Sequence, residues 1–239
     1  MANYESDNND ILTGVTERHL VPIKFLKDGQ GDTRKSNILI HQHVQQPLNL
    51  LRSSAQNEGF DLRISSGFRS FQRQRLIWNE KLSGLRPVFD DKGKQVVLDQ
   101  LSDWQKLQAV LRWSALPGSS RHHWGTDFDV YDASNLPQDY QIKLIPEECE
   151  GNGIFADFHH WLSDFFSQHP NGFFRPYDFD TGGVSPEKWH ISYGPIANIY
   201  SRQLTKDVIR EALVLDGDVK YISVILEFFD EIIDRFVLT

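Results

Sequence analysis

Residues 117–130 concentrate side chains that bind cations and move protons. The stretch Pro117-Gly118-Ser119-Ser120-Arg121-His122-His123-Trp124-Gly125-Thr126-Asp127-Phe128-Asp129-Val130 runs from a loop into a strand-like alternation and holds two histidines and two aspartates. About sixty residues later, Glu187-Lys188-Trp189-His190 supplies a further acid and a further imidazole. A catalytic zinc takes three nitrogen or carboxylate ligands and leaves one position for water. His122, Asp129 and His190 offer that set: imidazole, carboxylate, imidazole. Glu187 is then the candidate general base, deprotonating water at the metal and handing the proton to a leaving amine. The helical H-E-x-x-H arrangement is absent, so neighbouring strands have to bring the two clusters together.

Side-chain alternation says how a sheet could do this. In a strand Asp127 and Asp129 point to one face while Phe128 and Val130 point to the core. Positions 187 and 190 would point to opposite faces of a regular strand, and Pro186 predicts a turn or bulge that corrects this. Asp127 either adds charge beside the metal or orients a metal-bound histidine from behind. Arg69, read alone, is a salt-bridge former. Of the nine histidines, His123, His159, His160 and His169 are assigned to the ordinary background, with His159-His160 on a helix surface.

The surrounding pattern predicts an α+β domain: a small, mainly antiparallel sheet flanked by helices, with a C-terminal helical extension. Residues 1–34 read as an N-terminal arm, loose to about residue 20, residues 35–200 as the domain that carries the site, and residues 201–239 as the extension. Residues 38–60 read as mainly helical, with Val44, Leu48, Leu51 and Ala55 at helical spacing and Glu58-Gly59 as a stop. Residues 61–67 alternate as a strand, and Ser70 caps a helix that carries Phe71, Gln74 and Trp78. Residues 85–99 read as a loop or β-excursion, 102–113 and 155–168 as helices, and 172–174 and 189–193 as strands. Two helices, 205–215 and 219–237, flank Asp216-Gly217-Asp218 and are expected to pack on the domain.

Composition removes several function classes. A net charge of −8 argues against a general nucleic-acid binder, whose footprint is basic. Cys149 is the sole cysteine, so no internal disulfide and no thiolate zinc site can form. It lies between carboxylates in Pro146-Glu147-Glu148-Cys149-Glu150, which disfavours a thiolate and with it a papain-like nucleophile. No run approaches the ~20 apolar residues of a membrane span. The first residues lack the basic and apolar regions of a signal peptide, so the sequence as written reads as cytoplasmic, with export left open.

The motifs match a known family. Ser120-x-His122-x-x-Gly125-x-x-x-Asp129 followed by Glu187-x-x-His190 resembles the zinc D-alanyl-D-alanine carboxypeptidases and dipeptidases of the VanY/VanX type, which share a fold with the hedgehog amino-terminal domain. Ser65-Ser66-Gly67-Phe68-Arg69-Ser70-Phe71-x-x-Gln74 resembles the same family's upstream signature. The resemblance implies Zn2+ held by His122, Asp129 and His190, with Glu187 as base. It also implies that Arg69 holds the scissile carbonyl oxygen or the substrate carboxylate, that Ser120 and Gln74 position the peptide, and that Trp189 walls the pocket. The implied reaction is hydrolysis of D-Ala-D-Ala-type bonds in peptidoglycan stem peptides, with the peptide as the partner. An L-Ala-D-Glu-type endopeptidase on the same metal, or a non-catalytic zinc-stabilised binding module, are the alternatives; a retained Glu187 and Arg69 favour an enzyme. The chain departs from the family pattern at Asp127, where many relatives carry alanine, and in the tail after residue 200. By this resemblance Asp127 enters as a further substrate-side residue.

Overall fold

Strand β4 (Asp127–Asp132) organises the structure, a computed structural model that describes residues 8–24, 37–169 and 172–238. Its alternation buries Phe128 and Val130 in the core and leaves Asp127 and Asp129 on the other face. Antiparallel neighbours flank it on both sides. Strands β3 (Leu62–Ser66), β4, β6 (His190–Tyr193) and β5 (Phe173–Phe174) lie in the spatial order β3-β4-β6-β5. A separate two-stranded ribbon pairs β1 (Leu20–Pro22) with β2 (Leu39–His41).

Ten helices accompany these strands among the described residues. They are α1 (8–12), α2 (Gln45–Asn57), α3 (Phe71–Leu82), α4 (Asp103–Leu111), α5 (Pro146–Cys149) and α6 (Ala156–Gln168), followed by α7 (Gly194–Gln203), α8 (Lys206–Asp216), α9 (Ile222–Glu227) and α10 (Phe229–Phe236). Local chemistry sets their ends. The Ser70 hydroxyl accepts from Arg73 N at the start of α3, and Ser102 with Gln105 makes a reciprocal capping box on α4.

Two apolar cores result. One lies under the sheet, where Leu48, Leu51 and Ala55 of α2 and Phe158 and Leu162 of α6 meet Phe128, Val130 and Ile191. The other is helical: Trp78 of α3, Leu107 and Leu111 of α4, Leu213 of α8 and Phe229 and Ile233 of α10 pack with Leu12 and Trp124. Each buried leucine, isoleucine, valine or phenylalanine among them contributes about 1.5–3 kcal/mol. The C-terminal helices are therefore half of a core rather than a loose appendage. Polar contacts tie them to α3, with Trp78 Nε1 donating to Lys220 O at 3.2 Å and Arg75 pairing with Asp216 at 2.6 Å.

The structure differs from the sequence expectation in four places. Residues 8–24 are no loose arm: Leu12 is buried, its carbonyl accepts from Trp124 Nε1, and residues 20–22 form β1. The rest of the predicted arm, residues 1–7 and 25–34, lies outside the described residues. Residues 39–41 are a strand rather than the start of a helix, because pairing with β1 claims their backbone. The segment 219–237 is two helices, interrupted at Phe228, whose ring stacks on Trp104 with centroids 4.4 Å apart. His159 is buried on α6 while only its neighbour His160 is exposed.

Candidate active site

Strand register explains how distant residues meet. On β4 and β6 Asp129 lies directly opposite His190, and Asp127 opposite Ser192. Cross-strand neighbours have Cβ atoms roughly 4.5–5.5 Å apart, so the pairing alone places a carboxylate against an imidazole. His122 arrives from a short 3-10 turn, Arg121–Trp124, that precedes β4. Gly125 ends this turn in the left-handed region (φ 67°), and a Cβ there would meet His41 N at 2.8 Å, so glycine is required. The His122 ring is fixed by Nδ1 against the Gly67 carbonyl at 2.9 Å, which turns Nε2 toward Asp129 Oδ2 at 3.4 Å. His190 Nδ1 lies 3.2 Å from Asp129 Oδ1. One donor atom from each of His122, Asp129 and His190 falls within 4.8 Å of the others, and all three residues are buried.

Glu187 reaches the same point through a turn. His190 N donates to Glu187 O at 3.0 Å, closing an i to i+3 turn that brings both side chains to one side. Glu187 Oε2 then lies 3.8 Å from His190 Nδ1. Burial, reinforced by the charge of Asp129, pushes the Glu187 carboxyl up to about 7 against the pull of His190, Arg69 and Lys81. Burial opposes charge on His190 too, but hydrogen bonds to Asp127 and Asp129 outweigh it and raise the imidazole to about 9. Despite burial, His122 and His190 keep Asp129 below the usual carboxylate range.

Arg69 leaves the end of β3 with its backbone N donating to His122 O. Its guanidinium donates to Gln74 Oε1 at 2.9 Å and Ser66 Oγ at 3.2 Å, and lies 3.9 Å from Asp129. Gln74 is itself enclosed, with Nε2 donating to Ala115 O at 2.6 Å, so its amide holds Arg69 and faces no open space. Ser120 and Trp189 are both buried next to the ligand positions in sequence. Asp127, expected either at the substrate or behind a histidine, is fully enclosed, and Arg121, Thr126, Ser192 and His190 occupy its two oxygens.

Four further residues at this site escaped the sequence reading. Arg121 lies inside the His122 motif at a position that motif leaves free. Ser66 sits in the upstream signature, and its hydroxyl braces Arg69. Tyr177 lies over His190 with ring centroids 5.1 Å apart, and its carbonyl accepts from Glu187 N. Lys81 follows Gln74 by two turns of α3, a spacing legible in the sequence. Its Nζ donates to Ser114 Oγ at 2.6 Å, and burial pushes the ammonium down to about 8 against the charge of Glu187. His123, set aside as background, is a brace: Nδ1 bonds Arg69 O and Nε2 accepts from Gly118 N, which uses both ring nitrogens.

A carboxyl raised toward neutrality next to His190 and a fixed guanidinium next to Asp129 suit attack on an amide, and that chemistry is the province of the peptidases. The profile of the VanY family, described as D-alanyl-D-alanine carboxypeptidase, matches residues 37–196, more than half of the chain. The chain belongs to this family. Two uncharacterised proteins of Haemophilus influenzae are similar to it, one 46% identical over 107 residues (45% of this chain, 68% of the relative), the other 34% over 101 residues (41% and 74%). Among solved structures, VanYB in complex with D-alanine-D-alanine aligns at 21% identity and a TM-score of 0.49, covering 80% of this chain and 92% of that one. The LdcB LD-carboxypeptidase aligns at 22% identity and a TM-score of 0.48, covering 79% and 75%. Among the described residues no helix is long and apolar enough to cross a membrane.

Proposed function

We propose that this chain is a zinc-dependent carboxypeptidase or dipeptidase that hydrolyses D-Ala-D-Ala-type bonds at the free end of peptidoglycan stem peptides. One observation carries the reading: a donor atom of each of His122, Asp129 and His190 lies within 4.8 Å of the others, with the Glu187 carboxylate beside them. The donor chemistry fits the ion, because two imidazole nitrogens and one carboxylate oxygen form a set typical of catalytic zinc with one position open. Bound there, zinc supplies Lewis acidity for the scissile carbonyl and for water.

The protein's own residues supply the rest. Glu187, buried beside the ligand cluster, takes a proton from the attacking water and returns it to the leaving amine. Arg69, held rigid by Gln74 and Ser66, offers a guanidinium to the oxygen on which negative charge develops. Lys81, its ammonium held by Ser114 Oγ, adds positive charge that pulls against the raised Glu187 carboxyl. Ser120 and Trp189 complete the wall around the reacting bond. Residues 35–200 form the catalytic unit, and 201–239 complete the helical core behind it.

Alanine release from D-Ala-D-Ala and from a stem pentapeptide tests the reading. Wild-type protein should release alanine, lose that activity to a chelator and regain it with zinc. Glu187→Gln should bind zinc as wild type does yet lose turnover by roughly 10²–10⁴-fold. Undiminished hydrolysis after complete zinc removal, or in Glu187→Gln, overturns the assignment.

A further inference from the structure

Asp127 lies fully buried behind His190 and against Arg121. Its carboxylate is saturated. Oδ1 accepts from Arg121 Nε at 2.7 Å and lies 3.1 Å from His190 Nε2. Oδ2 accepts from Thr126 Oγ1 at 2.7 Å and from Ser192 Oγ at 3.1 Å. Four contacts match the four lone-pair sites of an ionised carboxylate. Arg121 is equally fixed: Nη2 donates to Ser192 Oγ at 2.8 Å, and its guanidinium sits 4.9 Å from the Trp124 ring centroid and 5.7 Å from that of Phe174.

We infer that Asp127 and Arg121 act as one positioning unit that fixes the His190 ring, taking Nε2–H so that Nδ1 is the nitrogen presented to the metal position. The geometry carries this. The His190 ring lies between two carboxylates of the same strand face, with Nε2 toward Asp127 and Nδ1 toward Asp129 and Glu187. A neutral imidazole has one N–H and one lone pair, so a donor bond to Asp127 leaves the lone pair on Nδ1. A second anion two residues from a ligand carboxylate is costly to bury alone, and Arg121 cancels its charge. An acid behind a ligating histidine also raises the basicity of the ligand. His122 shows the opposite arrangement, with Nδ1 anchored to the Gly67 carbonyl and Nε2 inward. The two imidazoles are thus held in opposite tautomers by two different second partners.

This inference rests on the proposed metal site, and the tests separate the two. Zinc affinity is measured by competition with a chromophoric chelator on folded, full-length protein, with folding followed by circular dichroism. Asp127→Asn keeps the shape, and Arg121→Met with Asp127→Ala removes the buried pair together so that neither charge is stranded. Both should weaken zinc binding by about 10–100-fold. The visible spectrum of bound cobalt should also change, which a general loss of stability would not cause. Long-range ¹H–¹⁵N correlation on zinc-loaded wild type needs no variant and should show His190 protonated on Nε2 and His122 on Nδ1. A His190 proton on Nδ1, or wild-type zinc affinity in both variants, overturns the positioning role. Failure of wild type itself to bind zinc stoichiometrically overturns the metal site, and the positioning role with it.

Discussion

The molecule buries two histidine pairs, and of the four rings His190 alone is raised by its surroundings, while burial lowers His122, His19 and His41. His122 and His190 meet edge to face with centroids 4.8 Å apart, and His19 and His41 lie 5.6 Å apart. All four are at most 5% exposed. Carboxylates separate the pairs. His190 sits between Asp127 and Asp129 and is raised to about 9. His19 and His41 are pushed down to about 4 by burial, with Arg18 and His43 lowering them further. Among the described residues, His41 bonds only neutral groups: Nδ1 accepts from His43 N and Nε2 meets the Tyr200 hydroxyl at 3.1 Å. Burial alone makes histidine a neutral aromatic filler. Burial between carboxylates makes it a site that a divalent cation can enter.

The sharpest way to break this comparison is to delete one member of each pair. His122→Ala should abolish stoichiometric zinc, read by metal analysis after dialysis, and hydrolysis with it. His41→Phe, which keeps an aromatic ring against His19 and Tyr200, should retain full zinc. Equal metal loss in both variants would show that the second pair is no bystander.

A smaller effect separates His190 from the second pair by pH. A histidine whose folded pKa lies near 4, below its unfolded 6.5, contributes stability that is complete above pH 6.5 and is lost as pH falls toward 4. His190, raised to about 9, has the opposite sign: its contribution is complete below pH 6.5 and is lost as pH rises through 9. Between pH 7 and 5, His19 and His41 should each cost on the order of 1 kcal/mol, allowing for solvent screening. Urea midpoints at the two pH values should therefore lie closer together in His41→Phe than in wild type. An unchanged spacing would mean that His41 already carries a proton in the fold.

What the sequence revealed of these pairs follows from the same physics. The alternation of Asp127, Phe128, Asp129 and Val130 is a period-2 signal, so the division of that strand into a charged and an apolar face was readable. The turn at Glu187 was readable from Pro186. Burial of His19 and His41 was not, because it depends on the β1–β2 ribbon, whose strands are three residues each and too short for periodicity to register. A place for Asp127 behind a histidine was one reading of the sequence, but its pairing with Arg121 was not readable, since it depends on Arg121 folding back from a 3-10 turn whose geometry Gly125 sets. In the tail, spacing located the apolar positions but not the break at Phe228, whose backbone leaves helical values (φ −101°, ψ 21°) where its ring stacks on Trp104.

The mildest expected effect concerns a group for which nearby carboxylates have the reverse consequence. Cys149 ionises to an anion, so burial and then the charge of Glu148 push its thiol up to about 12. Glu148 is held there by Tyr140 OH at 2.7 Å and by the backbone N of Lys143 and Leu144, so its charge is structurally fixed. At pH 8 a thiol at that value is ionised roughly 10³-fold less than an ordinary one near 8.5. Native protein should therefore resist iodoacetamide under conditions that alkylate the urea-unfolded chain fully. Cys149→Ser should leave zinc content unchanged and alanine release within about twofold of wild type, because a nucleophile is removed only in name. Rapid alkylation of the native thiol with parallel loss of hydrolysis would reverse the assignment. The reaction would then have to be rebuilt around sulfur rather than around the carboxyl of Glu187.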